Sequence, residues 1–290
     1  MKEKEFKLTL LNHSNSHLAH VLSTAAGWNQ TVEDWNRVLS LGRDTSFAGW
    51  IGDRLVVTGT LTHYRRCGWI GMLLVDQAYR RRGYATIMLD LLLKAAEERG
   101  MWWVGLDATE LGKPLYLKRD FREIGAIDRW QLTRPHTPLK MLSIRQYDDK
   151  SLKDFESECD LDVEATGIDR KLALIFTAVA LDTEDHIISE EEEEIVGFGI
   201  SRTGRLGPYL GPVVARSSEI AAGIVSRLLE RFNPTKDAPV FIDVPRGSSI
   251  EPWLRAEGFE PVRSWTRMVR GPAEKGNSEM IFAIAGPEMG

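Results

Sequence analysis

Trp69-Ile70-Gly71-Met72-Leu73-Leu74-Val75-Asp76-Gln77-Ala78-Tyr79-Arg80-Arg81-Arg82-Gly83-Tyr84-Ala85 is the stretch that decides the fold. An apolar strand runs into a basic, glycine-containing loop. The loop opens an amphipathic helix with Ile87, Met88, Leu91, Leu92 and Ala95 along one side. A helix start presents unpaired backbone N–H groups and the positive end of the helix dipole, which suits a phosphate. Gly83 lets backbone approach closely, and three successive arginines add charge and fork-shaped donors. A pyrophosphate-bearing ligand is the direct physical reading.

The rest of the chain narrows the class. Its 290 residues suffice for two domains, and hydrophobic and charged fractions of 43% and 27% are those of a globular protein. The start, Met1-Lys2-Glu3-Lys4-Glu5, is charged and unlike a signal peptide, and the longest apolar run, Leu172 to Leu181, is too short to span a membrane. Cys67 and Cys159 are the two cysteines, so no disulfide framework or cysteine zinc site is expected. His13, His17 and His20 lack a matching carboxylate or cysteine and read as surface and cap residues, so no metal is expected. A cytoplasmic protein is the expectation, with no membrane partner. Residues 1–140 carry 20 Lys+Arg against 15 Asp+Glu, whereas the remainder carries 17 against 27. A basic first half suits an anionic ligand, and the acidic second half argues against nucleic acid. Glu190 to Glu194 reads as a solvated hairpin tip.

Pro135-His136-Thr137-Pro138 marks a boundary, because two prolines break helix and sheet pairing. Either side of it lies a version of one α/β plan. Ile70-Gly71-Met72-Leu73-Leu74-Val75 answers to Leu210-Gly211-Pro212-Val213-Val214-Ala215, and Val104-Gly105-Leu106-Asp107 to Val240-Phe241-Ile242-Asp243. Pro114 to Phe121 answers to Pro252 to Phe259, and strands ending near Arg134 and Arg270 close the two units. The expected domains are 1–135 and 141–270, followed by an extension at 271–290. In the first, strands are expected at 5–11, 45–51, 54–64, 69–75 and 102–106, with closing strands near 121–125 and 128–134. Its helices are expected near 15–26, 31–41, 84–99 and 112–119. The second repeats the plan with helices near 151–160, 168–181, 217–232 and 249–257.

Arg80-Arg81-Arg82-Gly83-Tyr84-Ala85, after Leu-Leu-Val and before the apolar helix, resembles the cofactor segment of the GNAT superfamily of acetyl-CoA-dependent N-acetyltransferases. The whole chain resembles bacterial tandem GNAT proteins with a divergent C-terminal half. The resemblance implies an α/β (α+β) fold of two tandem GNAT-like domains, each a mixed, mostly antiparallel sheet flanked by helices. It implies acetyl-CoA as co-substrate, bound by Arg80, Arg81, Arg82, Gly83, Tyr84, Ala85 and Thr86, with backbone contacts from Leu73, Leu74 and Val75. Thr109 stands where many relatives carry a cofactor-touching asparagine. The second copy reads Arg216-Ser217-Ser218-Glu219-Ile220-Ala221 at the loop and Leu254 opposite Tyr116. Without the glycine, and with Glu219 set to repel phosphate, it is expected to have lost cofactor binding.

The implied activity is direct transfer of an acetyl group to a primary amine of a small molecule or peptide. A non-catalytic acyl-CoA-binding sensor is the alternative, and a homodimer is left open. Amide formation from a thioester needs a proton for the leaving thiolate. Tyr116 is the candidate general acid, since a phenol with a pKa of about 10 is matched to that thiolate. For the base, Asp107 at the end of a strand stands beside Glu33, Asp34 and His63. Trp28 and Trp35 flank the loop that shapes the acceptor pocket in GNAT proteins, so both are candidate pocket residues.

Overall fold

The computed structural model describes residues 5–139, 144–146, 152–178 and 186–290. The chain divides into two compact units. Unit 1 comprises Met1–Glu123, Met268–Ala273 and Pro287–Gly290, and unit 2 comprises Ile124–Arg267 and Glu274–Gly286.

Unit 1 contains strands β1 (Phe6–Leu10), β2 (Phe47–Ile51), β3 (Arg54–Tyr64), β4 (Cys67–Val75) and β5 (Trp103–Ala108). They are ordered β1-β2-β3-β4-β5, and the last residues of a late strand, β12 (Glu260–Arg270), follow. Its helices are α1 (Ser16–Ala25), α2 (Val32–Leu41), α3 (Tyr84–Glu98) and α4 (Lys113–Leu117). Helix α3 buries Met88, Leu89 and Leu92 against Val56, Val57, Leu61 and Ile70 on one face of the sheet. Helices α1 and α2 pack on β3 from the other face. A reciprocal capping box fixes where α2 begins: the Thr31 hydroxyl accepts from the Asp34 N–H, and the Asp34 carboxylate accepts from the Thr31 N–H.

Unit 2 contains α5 (Leu152–Thr166), α6 (Lys171–Ala178), α7 (Ser218–Leu229) and α8 (Glu251–Glu257). Its strands are most of β6 (Arg122–Leu132), β7 (Ile144–Gln146), β8 (His186–Glu191), β9 (Glu194–Arg202), β10 (Tyr209–Ala215), β11 (Val240–Pro245), most of β12, and β13 (Ile281–Ala283). The order is β12-β6-β11-β10-β9-β8-β7, with β13 against β10. Helix α7 buries Ile220, Ile224 and Leu228 in the main core of this unit. The glutamate run is a two-residue hairpin turn, with Glu192 and Glu193 at φ of 50° and 67° and exposed.

Three expectations need correction. The closing strands near 121–125 and 128–134 are one strand, β6, which runs through Gly125 without a break from an exposed start at Arg122 to buried residues at Ile127 and beyond. The linear division at 135–141 is not how the units are built: unit 2 takes up the chain from Ile124, and unit 1 receives residues 268–273 and 287–290 from the far end. The extension at 271–290 contains a sheet strand, β13, whose signal is the short apolar run Ile281-Phe282-Ala283-Ile284-Ala285. Part of the helix expected at 168–181 falls outside the described residues.

Two adjacent strands of unit 2 are also joined by charge. Arg129 on β6 lies opposite Asp243 on β11 and donates two hydrogen bonds, both 2.7 Å, to a carboxylate that is fully buried. Its guanidinium also lies 5.0 Å from the centre of the Trp265 ring. Removing one partner leaves an uncompensated buried charge, so Asp243→Ala is expected to destabilise unit 2 by about 3–5 kcal/mol. Urea unfolding followed by tryptophan fluorescence measures this, and Arg129→Met in the same chain is expected to restore most of the loss.

Candidate active site

The site is built where β4 parts from β5. The two strands pair in parallel only through Cys67, Gly68 and Trp69. Beyond Trp69 no described strand pairs the β5-facing edge of β4. On its other edge β4 carries a bulge, with Thr60 opposite Gly71 but Thr58 opposite Leu74. Met72 within the bulge holds a φ of 50°, and the buried Thr58 hydroxyl donates to the Met72 carbonyl at 2.8 Å. The extra residue inverts the alternation, so Leu73 and Val75 lean onto the α3 core while Leu74 is buried on the other face. Leu73 to Val75 thus follow the break with an open backbone edge.

From Val75 the chain runs into the basic loop. Asp76 caps a short turn by accepting from the Ala78 N–H at 2.9 Å and pairs with Arg54 at 2.7 Å. The Arg80 side chain donates to the Val75 carbonyl and Arg82 to the Ala78 carbonyl, both at 3.3 Å, and all three arginines are exposed. Gly83 is the N-cap of α3 at φ 83°, a left-handed conformation that a side chain would strain. No side chain caps this helix start, and its first turn carries no acidic residue. Tyr84 packs on Phe6 with ring centres 4.7 Å apart, while Ala85 and Thr86 open the first turn. An open groove of about 980 Å³ runs beside the loop between α1 (Leu18, Val21, Leu22) and Val75, Tyr79 and Arg80. It does not reach Tyr116.

Tyr116, on α4, belongs to the same core cluster as Leu73, Val75 and Tyr84, so the candidate acid and the open edge share one wall. It is buried, its ring meets Phe121 edge-on at 5.8 Å, and its hydroxyl has no hydrogen-bond partner among the described residues. Burial pushes its pKa well above the ordinary phenol value, so it holds its proton. Thr109 plays a local part: its hydroxyl and carbonyl oxygens both accept from the Gly112 N–H and set the turn into α4. On β5, Val104, Leu106 and Ala108 face the α3 core, which puts Gly105 and Asp107 on the opposite face. A Cβ at Gly105 would strike the Trp69 ring.

The other candidates separate. Trp35 is completely buried and its indole N–H donates to the Ser23 hydroxyl at 3.1 Å, so it is core and does not line a pocket. Trp28 remains half-buried in the loop between α1 and α2. Asp34 is committed to its cap and to a buried pair with Arg37 at 2.7 Å, Glu33 is exposed, and His63 lies beside the Arg65 carbonyl. The sequence reading missed Thr58, which carried only the weak signal of a polar residue in an apolar strand. Among the described residues there is no metal-binding cluster and no helix long and apolar enough to cross a membrane.

The equivalent place in unit 2 is closed twice. Strands β10 and β11 also pair only briefly, at Tyr209 and Leu210, and β10 bulges at Gly211 and Pro212. Here β13 fills the parting. Ala283 and Ile281 pair with Val213 and Val214, and the Ile284 N–H donates to the Asp243 carbonyl on β11. Helix α7 is capped by Ser217, which accepts from the Ile220 N–H at 3.3 Å. Hydrogen bonds from its own backbone and from Ser217 hold the Glu219 carboxyl below its ordinary pKa, so a negative charge already sits at this helix start.

Comparison with known proteins agrees with this geometry. Residues 14–121 match the acetyltransferase (GNAT) family and residues 159–283 match an acetyltransferase (GNAT) domain. The chain is 27% identical over 277 residues to the uncharacterized N-acetyltransferase YitH of Bacillus subtilis (strain 168), covering 91% of this chain and 92% of that protein. A putative acetyltransferase from Pyrococcus horikoshii shares the fold with a TM-score of 0.82 at 20% identity, over 100% of this chain and 98% of that one. A tandem GNAT protein from the clavulanic acid biosynthesis pathway does so with a TM-score of 0.60 at 12% identity, over 93% and 100%. The chain belongs to the GNAT superfamily in its tandem form and is an acyltransferase.

Proposed function

We propose that unit 1 moves an acetyl group from acetyl-CoA to a primary amine of a small molecule or peptide, and that unit 2 binds no cofactor. One contrast carries the reading. Unit 1 keeps an open β4 edge leading to an uncapped helix start with three exposed arginines, whereas the same two places in unit 2 are filled by β13 and by Ser217 with Glu219. Unpaired N–H groups on the β4 edge suit the amide-rich pantetheine arm, and one of them can meet the thioester oxygen as charge develops on it. Arg80 to Thr86 receive the pyrophosphate through backbone N–H groups and guanidinium forks.

In the transfer the amine nitrogen attacks the thioester carbonyl, the C–S bond breaks, and the thiolate takes the Tyr116 proton. The nitrogen loses its proton to a carboxylate or water on the face that carries Asp107, and solvent reprotonates Tyr116. Calorimetric titration with acetyl-CoA is expected to give one site per chain, and free thiol is expected to appear with at least one member of a panel of primary amines. Two sites per chain would overturn the assignment to unit 1. Binding with no thiol release from any amine would favour a sensor.

A further inference from the structure

Helix α1 is apolar on more than the side that packs on the sheet. Ala19 and Leu22 are buried, whereas Leu18, Val21 and Ala25 follow one another at helical spacing on a neighbouring strip and are exposed, Val21 by 62%. These three side chains line the open groove of about 980 Å³ beside the basic loop. The ends of β2, β3 and β4 contribute Ile51, Leu55 and Leu74 to the same lining. Single exposed apolar residues are ordinary on a surface, but a strip of them sharing a groove with strand residues marks a place that a ligand covers.

The charged groups of the groove offer a ligand little. Arg54 pairs with Asp76, and Arg80 donates to the Val75 carbonyl. Asp53 has no partner among the described residues, but it is exposed at the turn between β2 and β3, where water screens its charge. Leu74 and Val75 belong both to this lining and to the stretch that follows the open β4 edge, so the groove is continuous with the place where a thioester is expected.

Two apolar groups meet at a thioester, the acyl chain and the body of the acceptor, and the direction of the cofactor separates them. Running from a pyrophosphate at Arg80 to Thr86 back along β4, the cofactor would point a longer acyl chain toward Gly71 and Trp69. Neither residue lines the groove, and residues 287–290 of unit 1 already lie there. The Trp69 indole N–H donates to the Pro287 carbonyl at 3.0 Å, and the Tyr64 hydroxyl donates to the Met289 carbonyl at 2.8 Å. A Cβ at Gly71 would come within 2.7 Å of the Glu288 main chain. The groove runs the other way, from Leu74 to Arg80, alongside the cofactor. That is the path of a second substrate.

Resting on the transferase reading, we propose that this groove holds the acceptor, and that the acceptor is a primary amine on an apolar body without a second charge. An alkyl or arylalkyl amine fits that description; a polyamine or an amino sugar does not. A second ammonium would lose water against leucine and valine with no buried partner, and sugar hydroxyls would meet few free donors or acceptors. An alkyl chain instead gains with every methylene it buries.

The test titrates n-alkylamines into the full chain with coenzyme A present, by calorimetry, so it needs no turnover. Affinity is expected to rise about fourfold per methylene from n-butylamine to n-octylamine, with cadaverine binding about tenfold more weakly than n-pentylamine. Val21→Asn, at a position exposed enough to spare the fold, is expected to flatten the series, and Val21→Trp, which narrows the groove, to end it at a shorter chain. With acetyl-CoA, KM is expected to follow the same order, and octanoyl-CoA is expected to be the poorer donor. Affinity independent of chain length, cadaverine binding as tightly as n-pentylamine, or a series untouched by both Val21 variants would overturn the proposal. So would octanoyl-CoA used as well as acetyl-CoA until Val21→Trp removes that use, which would give the groove to the acyl chain. Failure of the transferase reading looks different: no coenzyme A binds, or no amine releases thiol from acetyl-CoA.

Discussion

Tyr116→Phe is expected to lower kcat by roughly 10²–10⁴-fold, the usual contribution of a positioned general acid. The loss should fall on the chemical step. The loop proposed to receive the pyrophosphate is at the start of α3, whereas Tyr116 is on α4, so acetyl-CoA affinity should stay within about twofold. Folding should be spared as well, since phenylalanine keeps the edge-on contact with Phe121 and removes a hydroxyl that has no partner among the described residues. Burial fixes the sign of the pH behaviour. A phenol whose pKa is raised by burial stays protonated at neutral pH, so in the resting site Tyr116 is a proton donor and not a base. An alkaline decline in rate below pH ~10 must therefore come from another group. Pre-steady-state thiol release checks the effect, and an unchanged rate would return Tyr116 to a packing role.

Gly83→Glu is expected to weaken acetyl-CoA binding by about 100-fold, some 2.7 kcal/mol at 1.36 kcal/mol per decade. Two causes add. A side chain at φ 83° costs roughly 1–2 kcal/mol in the left-handed region. A carboxylate at a helix N-terminus then occupies the position a phosphate needs, at a further 1 kcal/mol or so. Gly83→Ala separates them: a Cβ there meets nothing within 4 Å, so only the backbone cost remains and the loss should be about tenfold or less. Calorimetry on both variants measures the difference, and equal losses would mean that the charge at the loop is irrelevant.

The parts of the fold that were legible in the sequence are those that local chemistry determines. Helix α3 was readable from its apolar face and from Gly83, and α2 from Thr31 and Asp34, because caps and periodicity act over a few residues. The side-chain-capped, acidic start of α7 was readable too, since Ser217 and Glu219 are the helix-start residues themselves. What stayed hidden depends on partners distant in sequence. Nothing local tells Ile281 to Ala283 to enter the gap beside β10, or Glu288 to lie on Gly71. Trp35 was misread for a related reason: an aromatic beside a loop can turn inward or outward, and its bond to Ser23 decides the matter only in three dimensions.

The exchanged termini of the two units bear on how the protein is made. Unit 1 holds the first 123 residues of the chain but also Met268–Ala273 and Pro287–Gly290. During synthesis its sheet waits, with the flank of β5 uncovered, until most of unit 2 has emerged, and the partners of Trp69 and Tyr64 follow later still. Closing so long a loop adds little to the equilibrium cost, which grows only logarithmically with length, but it slows the final step. The two anchors that hold Pro287–Gly290 on unit 1 are thus made only after unit 2 has been synthesised, whereas the basic loop before α3 can form earlier.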